Sequence, residues 1–266
     1  MRFQSLKAIF LFSNLIIAFN AVAATTNDIC QGVSILDITD RGSVSNTPCV
    51  LSPKAVFWEL GYQYKQFTPD GGVQIFPQPT VFVGLPGKSE LSVVIPTYNQ
   101  ASFRPFSGSG AAMVGVKHEV LYGNNWVAAA EVFFTPPSGS ASFGSKGSGF
   151  VLNGMATYNL SPKLSATLMV GGSTATDPSL IGGGRFNSFN PSLALSYGQS
   201  EQLRFFIEAF AQTQTEYGVQ GNYNVDGGVL YMLTENVVFD LEIGQQLSHQ
   251  SLSFHQFIGG GVSLKL

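Results

Sequence analysis

Seven acidic residues, Glu59, Glu119, Glu131, Glu208, Asp226, Asp240 and Glu242, stand inside otherwise apolar stretches, in company with three bases, Lys65, Lys117 and Arg204. Most lie between apolar neighbours at i−1 and i+1, so in extended chain the charged and apolar side chains take opposite faces. Charges gathered on one inner face can do two kinds of work. They can neutralise each other in a salt-bridged network that fills and stiffens an interior, or they can line a path along which charge selects what passes. The two do not exclude each other. Seven acids against three bases predict that such a path prefers cations.

Other chemistry finds little support. The three histidines stand in no nucleophile motif: His118 lies on a strand beside Lys117 and Glu119, His249 and His255 flank the last outer loop, and they read as solvated side chains. Gly139 to Lys146 almost spells a phosphate-binding loop. Ser145, however, separates the second glycine from the lysine, and no helix-forming segment follows to aim its N-terminus at a phosphate. No HExxH, CxxC or paired acidic motif appears, so no catalytic residue, metal or cofactor is expected. No basic run suggests nucleic acid.

The elements that carry these residues alternate with period 2 and are therefore strands. Leu203, Phe205, Ile207, Ala209 and Ala211 share one face. After a polar loop from Glu216 to Asn222, Tyr223, Val225, Val229, Tyr231 and Leu233 repeat the pattern, and a tight turn at Thr234-Glu235-Asn236 leads to Val237, Phe239, Leu241 and Ile243. Upstream, the pattern recurs in Ala55 to Lys65, around Val81 to Leu85, Leu91 to Ile95, Val114 to Tyr122 and Trp126 to Phe134. It returns in Phe150 to Tyr158, Leu164 to Val170, Phe189 to Tyr197 and Ile258 to Leu266. Long polar connections (Pro69 to Pro79, Asn99 to Gly110, Pro136 to Ser148, Gly171 to Ser188) alternate with short turns. Strands of about ten residues with short turns at one end and long loops at the other predict a transmembrane antiparallel β-barrel of about 12 strands, with periplasmic turns and outer loops. Val120 and Tyr122 fall on the outer face in this phase. Tyr122, Trp126, Tyr158, Tyr197 and Tyr231 beside the short turns predict an aromatic girdle. Phe57, Phe133, Met169, Phe206, Phe210, Leu230 and Met232 share the inner face, where they either pack against a plug or line a site for a hydrophobic solute.

Composition agrees with a wall that faces lipid. Only 11% of the 266 residues are charged, against roughly a quarter in soluble domains, and there are 30 glycines and 22 phenylalanines. Residues 1–23 read as a secretory signal, with Arg2 and Lys7 before an apolar run and Ala21-Val22-Ala23 as the cleavage site. Cleavage leaves the remainder two charges more negative than the formal −3 of the whole chain. Residues 24–53 lack alternation and form either a periplasmic extension or a plug, and residues 54–266 form the barrel. The only cysteines, Cys30 and Cys49, lie in an exported segment and are expected to form a disulfide, closing a loop of about 20 residues that contributes roughly 3 kcal/mol.

Gly261, Leu264 and Leu266 resemble the C-terminal signature that the barrel assembly machinery reads, although this chain ends in a leucine where that pattern has an aromatic. The stretches Phe133 to Gly149, Arg185 to Pro191 and Asp226 to Gln245 resemble the outer-membrane family named for the MetA pathway of phenol degradation. That resemblance covers the mature chain. It implies a barrel in the outer membrane of a Gram-negative bacterium and uptake of small hydrophobic or aromatic compounds, and carries over no site residues. Expected partners are outer-membrane lipids, the assembly machinery and a small-molecule solute. The competing expectation is a structural or adhesive surface barrel with a closed lumen.

Overall fold

The computed structural model describes residues 28–68, 71–248 and 254–266. The expected signal segment and His249 lie outside these. Fifteen strands follow a one-turn helix, α1 (Ile35–Ile38). They are β1 (Val56–Thr68), β2 (Gly71–Phe76), β3 (Thr80–Leu85), β4 (Ser89–Val94), β5 (Tyr98–Ala101), β6 (Ser107–Ser109), β7 (Met113–Gly123) and β8 (Trp126–Thr135), then β9 (Gly149–Ser161), β10 (Leu164–Thr176), β11 (Arg185–Gly198), β12 (Leu203–Glu216), β13 (Val219–Thr234), β14 (Val237–Gln246) and β15 (Gln256–Lys265). Every pairing is antiparallel between neighbours, and β15 returns to pair with β1, with Phe57 opposite Lys265 and Gln66 opposite Gln256. The ring so closed has 12 strands. The first and last strands of the ring are thus paired to each other and neither is left as an open edge, which is what a sheet in hydrocarbon requires.

The difference between fifteen segments and twelve wall strands lies in three interruptions. β2 and β3 both pair with β1, at its outer and inner ends, and are separated by Pro77-Gln78-Pro79. β4 and β5 are separated by Ile95-Pro96-Thr97, and β6 and β7 by Gly110-Ala111-Ala112. Proline brings no N–H to a ladder, so it interrupts pairing where it falls. The three gaps lie side by side, since Ile95 N donates to the Pro79 carbonyl (2.9 Å) and Gly110 N to the Thr97 carbonyl (2.8 Å).

Burial is inverted relative to a water-soluble domain. Lys117 is 0% exposed and Glu131 and Glu208 are 1%, whereas Leu152 is 63% and Ile243 62% exposed. Such a wall is stable only with lipid on its outside. Outward aromatics form two belts. Tyr158, Tyr197, Phe205, Tyr231 and Phe239 stand near the short turns, and Phe134, Phe150, Phe189 and Tyr223 near the opposite end. The Phe134 and Phe150 rings, on paired strands, lie 5.1 Å apart.

The structure corrects four expectations. The stretches Pro69 to Pro79 and Asn99 to Gly110 are not open loops, because they contain β2, β5 and β6. In Gly171 to Ser188 both strands run on, β10 to Thr176 and β11 from Arg185. The polar run Glu216 to Asn222 is a turn of Tyr217 and Gly218 alone, with Gly218 at φ 76°, where a side chain would be strained. The shared cause is that a ladder needs only backbone groups. Apolar alternation is required where one face meets lipid and vanishes once the hairpin rises into water, although the pairing continues. The fourth correction is local. Val120 is the extra residue of a β-bulge, since Glu119 faces Ala129 while Leu121 faces Ala128. The bulge reverses the phase, exposing Leu121 and turning Tyr122 inward to pack with the buried core. Tyr122 therefore leaves the predicted girdle. His118, expected on a strand, lies on the outer face of β7 within 2.9 Å of the Ser89 hydroxyl.

Candidate functional site

The chain ahead of β1 packs inside the barrel between Ile29 and Leu51. One end is tied by the Cys30–Cys49 disulfide, with the two Cα atoms 5.3 Å apart. Ser34 precedes α1 and its N–H donates to Asp37 Oδ2 (3.0 Å), holding the single turn. Ile35, Leu36 and Ile38 of that turn are buried with Phe57, Phe82, Val127, Phe206, Leu230 and Val238. These wall positions all lie close to the short turns, so the inner segment is seated at the inner end of the lumen by apolar contact.

Beyond α1 the same segment runs across the lumen and its polar groups meet the wall carboxylates one by one. The Thr39 hydroxyl donates to Glu59 Oε1 (2.8 Å), and Asp40 N donates to the same oxygen (2.8 Å). Arg41 grips Asp240 with two donors, Nε at 2.8 Å and Nη2 at 3.1 Å. Val44 N and Ser45 N donate to the two oxygens of Glu208 at 2.6 and 2.8 Å, and the Ser45 hydroxyl adds a third bond to it. Asn46 Nδ2 donates to Glu131 Oε2 (2.8 Å), which also accepts from Asn153 (3.1 Å). Lys117 is paired with Asp40 (3.0 Å) and with Glu90 (3.3 Å), and Glu90 accepts from Leu51 N (3.0 Å). Lys88 joins Glu119 (2.6 Å) to Asp28 (2.5 Å) and lies 3.5 Å over the Tyr122 ring. Arg204 donates to the Leu36 carbonyl (2.7 Å) and to Asp37 (2.5 Å).

Of the ten charged positions singled out in the sequence, seven therefore reach the inner segment, Glu119 through Lys88. Lys65, Glu242 and Asp226 make no hydrogen bond or ion pair to it among the described residues. Glu242 accepts from Gln63 Nε2 (3.1 Å) on the neighbouring wall. Asp226 is buried between Glu208 and Gly244 in the register, and neither of its oxygens has a hydrogen-bonding partner among the described residues. Glu90 escaped the sequence reading although its phase, opposite to Leu91 and Val93, marks it as inward. Asp28, Asp37, Asp40, Arg41 and Lys88 lie on aperiodic chain or in a turn, where no phase could have found them.

The C-terminal residues also have places. Gly261 faces Gly61 on β1 and Asp240 on β14. A Cβ on either glycine would overlap the Arg41 guanidinium, so the two glycines form the notch that lets Arg41 reach Asp240. Leu264 pairs with Trp58 and Val237, and Leu266 is 79% exposed. Gly42, at φ 90°, passes against the Phe206 ring, the second point where the segment's path requires a bare backbone.

The segment divides the interior. Between it and the short turns lies a mouth of about 830 Å³, bordered by Gly32 to Asp37, Lys163, Arg204 and Lys265. On the outer side lies a cavity of about 350 Å³ that includes Gln63, Lys65, Asn190, Phe210, Gln212, Phe254 and Phe257. Of the inward apolar residues, Phe57, Phe206, Leu230 and Met232 pack in the core that the segment completes, Met169 packs with Ala129 and Met155, and Phe210 reaches the outer cavity.

An outer-membrane channel from Pseudomonas putida F1 has the same fold, with a TM-score of 0.64 at 13% identity over 86% of this chain and all of that one. The NanC porin superposes with a TM-score of 0.56 at 13% identity, over 79% of this chain and 100% of its own. The KdgM porin, solved in complex with disordered oligogalacturonate, gives 0.53 at 10% identity over 79% and 98%. At these identities the likeness establishes the fold, a barrel of the outer-membrane type. No curated protein sequence matches the chain. The sequence profile of the family described as "Putative MetA-pathway of phenol degradation" matches residues 39–266, and the chain belongs to that family.

Proposed function

We propose that the protein is a passive, non-enzymatic channel of the Gram-negative outer membrane for small hydrophobic or aromatic solutes, exported on a signal over residues 1–23 and placed in the membrane by the barrel assembly machinery. The observation that carries this reading is the division of labour inside the lumen. The carboxylates Glu59, Glu131 and Glu208 accept hydrogen bonds from the inner segment, while the cavity open to the outer side brings the rings of Phe210, Phe254 and Phe257 together with amides and a few charged side chains. A wide aqueous porin has no use for phenyl rings in its vestibule, whereas an apolar solute leaving water gains from each. Passage onward requires the segment to shift, because it crosses the lumen at the level of those carboxylates.

The competing reading, a surface barrel with a closed lumen, is favoured by the same network, which would serve as an internal strut. Two measurements separate them. In planar bilayers the refolded chain is expected to give small, fluctuating conductance that grows when residues 28–50 are removed. Cells carrying the chain are expected to take up a labelled aromatic alcohol faster than cells without it. A silent bilayer together with equal uptake would leave the structural reading standing.

A further inference from the structure

Five charged side chains face the outer cavity: Asp40, Arg41, Glu59, Lys65 and Glu242. Four have close partners. Asp40 meets Lys117, Arg41 meets Asp240, Glu59 accepts from Thr39 and Asp40, and Glu242 accepts from Gln63. Lys65 is the exception. Among the described residues no carboxylate oxygen lies within ion-pair distance of its ammonium, which stands over the face of Phe254, 5.4 Å from Nζ to the ring centroid. Phe254 in turn packs edge-on against Phe257, with centroids 5.5 Å apart and planes at 78°. Phe210 borders the same space, as do Asn190 and Gln212, which offer neutral amide groups. The volume of about 350 Å³ is within the range that holds a small ligand.

An ammonium without a close counter-ion, beside three phenyl rings, is complementary to a molecule with one negative charge and one aromatic ring. We propose that this cavity is a binding site for small aromatic monocarboxylates, with the carboxylate on Lys65 and the ring among Phe210, Phe254 and Phe257. The inference rests on the channel reading for its purpose, but the site itself can be tested without transport. The acids nearby set its valence. Glu242, whose field reaches Lys65, and Glu59 on the cavity wall repel a second carboxylate, so a monoanion is favoured over a dianion. A charge-assisted contact of this kind in a part-buried cavity corresponds to about tenfold in affinity.

Fluorine NMR on the full chain refolded in detergent reads the site directly, using 4-fluorobenzoate, its neutral counterpart 4-fluorobenzyl alcohol and the dianion 4-fluorophthalate. The folded parent, identified by its heat-sensitive gel mobility, is expected to bind the benzoate about tenfold more tightly than either other probe. Lys65→Met should bring the benzoate down to the level of the alcohol, Lys65→Arg should retain it, and Phe254→Leu should weaken benzoate and alcohol together. Equal binding of benzoate and alcohol by the parent overturns the proposal, as does an unchanged benzoate affinity in Lys65→Met. If Lys65→Met does not fold, the parent's ranking of the three probes decides alone. The channel reading fails separately, by silent bilayers and equal uptake of the alcohol while benzoate binding persists.

Discussion

Arg41 offers the sharpest perturbation of the inner segment. Its guanidinium and the Asp240 carboxylate are 9% and 0% exposed, joined by two hydrogen bonds in the notch made by Gly61 and Gly261. Arg41→Ala leaves the Asp240 charge buried with its principal donor gone, a change that costs about 3–5 kcal/mol when one partner of a buried pair is removed. The cost falls on docking of the segment, because Arg41 belongs to the segment and Asp240 to the wall. At about 1.4 kcal/mol per decade, the docked state loses two to three and a half decades of preference. Amide hydrogen exchange locates the effect. The Asp40, Val44 and Ser45 amides, which donate to Glu59 and Glu208, should exchange at least about a hundredfold faster. Amides of the β9–β10 ladder, far from the pair, should keep their rates. A double variant, Arg41→Met with Asp240→Leu, should recover most of the protection, since apolar residues of similar volume remove the stranded charge. Unchanged exchange at Val44 and Ser45 would refute the view that this pair holds the segment. Equal acceleration everywhere would show that it holds the barrel instead.

Reducing the Cys30–Cys49 bond should raise the intact mass by two hydrogens and weaken docking by roughly 3 kcal/mol, seen as faster exchange at Leu51 N, which donates to Glu90. Cysteine at Ser142 should react with an impermeant thiol reagent on whole cells while cysteine at Lys163 does not, and the reverse pattern would invert the topology. Glu242→Gln should shift the zero-current potential in a salt gradient away from cation preference, because Glu242 hydrogen-bonds to Gln63 of the wall and, among the described residues, to none of the segment; Gln at Glu59, Glu131 or Glu208 should instead raise conductance by freeing it. If Glu242→Gln leaves the potential unchanged, the acidic excess plays no part in selection. Thr39→Val should slow acquisition of the heat-sensitive folded band more than it speeds its loss, and equal effects on both would deny it a role in closure.

Much of the wall was legible because lipid imposes a period-2 code on every strand that crosses it. Ile207, Ala209 and Ala211 opposite Glu208 and Phe210 suffice to place β12 and to give Glu208 an inward phase. The code stops where lipid stops, so the last residue of β12 and the start of β13, up to Asn222, read as a polar loop although their ladder continues to Glu216 and Val219. A bulge is equally silent: Val120 is apolar like its neighbours, and only the pairing of Glu119 and Leu121 with adjacent alanines shows that the phase has slipped at Tyr122. The charged residues were visible and their partners were not. Asp40 and Arg41 lie on chain with no repeat, and the contacts they make, to Lys117 and Asp240, span 77 and 199 residues. Sequence phase says which way a wall residue points. It says nothing about what an aperiodic segment will bring to meet it.

Thr39 touches both ends of the wall at once. Its hydroxyl lies 2.8 Å from Glu59 Oε1 on β1 and 2.8 Å from Ser263 Oγ on β15, and these two residues face each other in the register that closes the ring. Seen as a sequence of events, the two contacts differ greatly in difficulty. Thr39 and Glu59 are 20 residues apart, and Thr39 and Ser263 are 224 apart. Loop-closure entropy makes the second about 2 kcal/mol harder to form from an open chain. The near contact is therefore expected to form first and to carry the segment onto the first strand. The last strand would then arrive at an edge where a hydroxyl already waits beneath the joint, and the barrel would close around a template of its own making rather than around water.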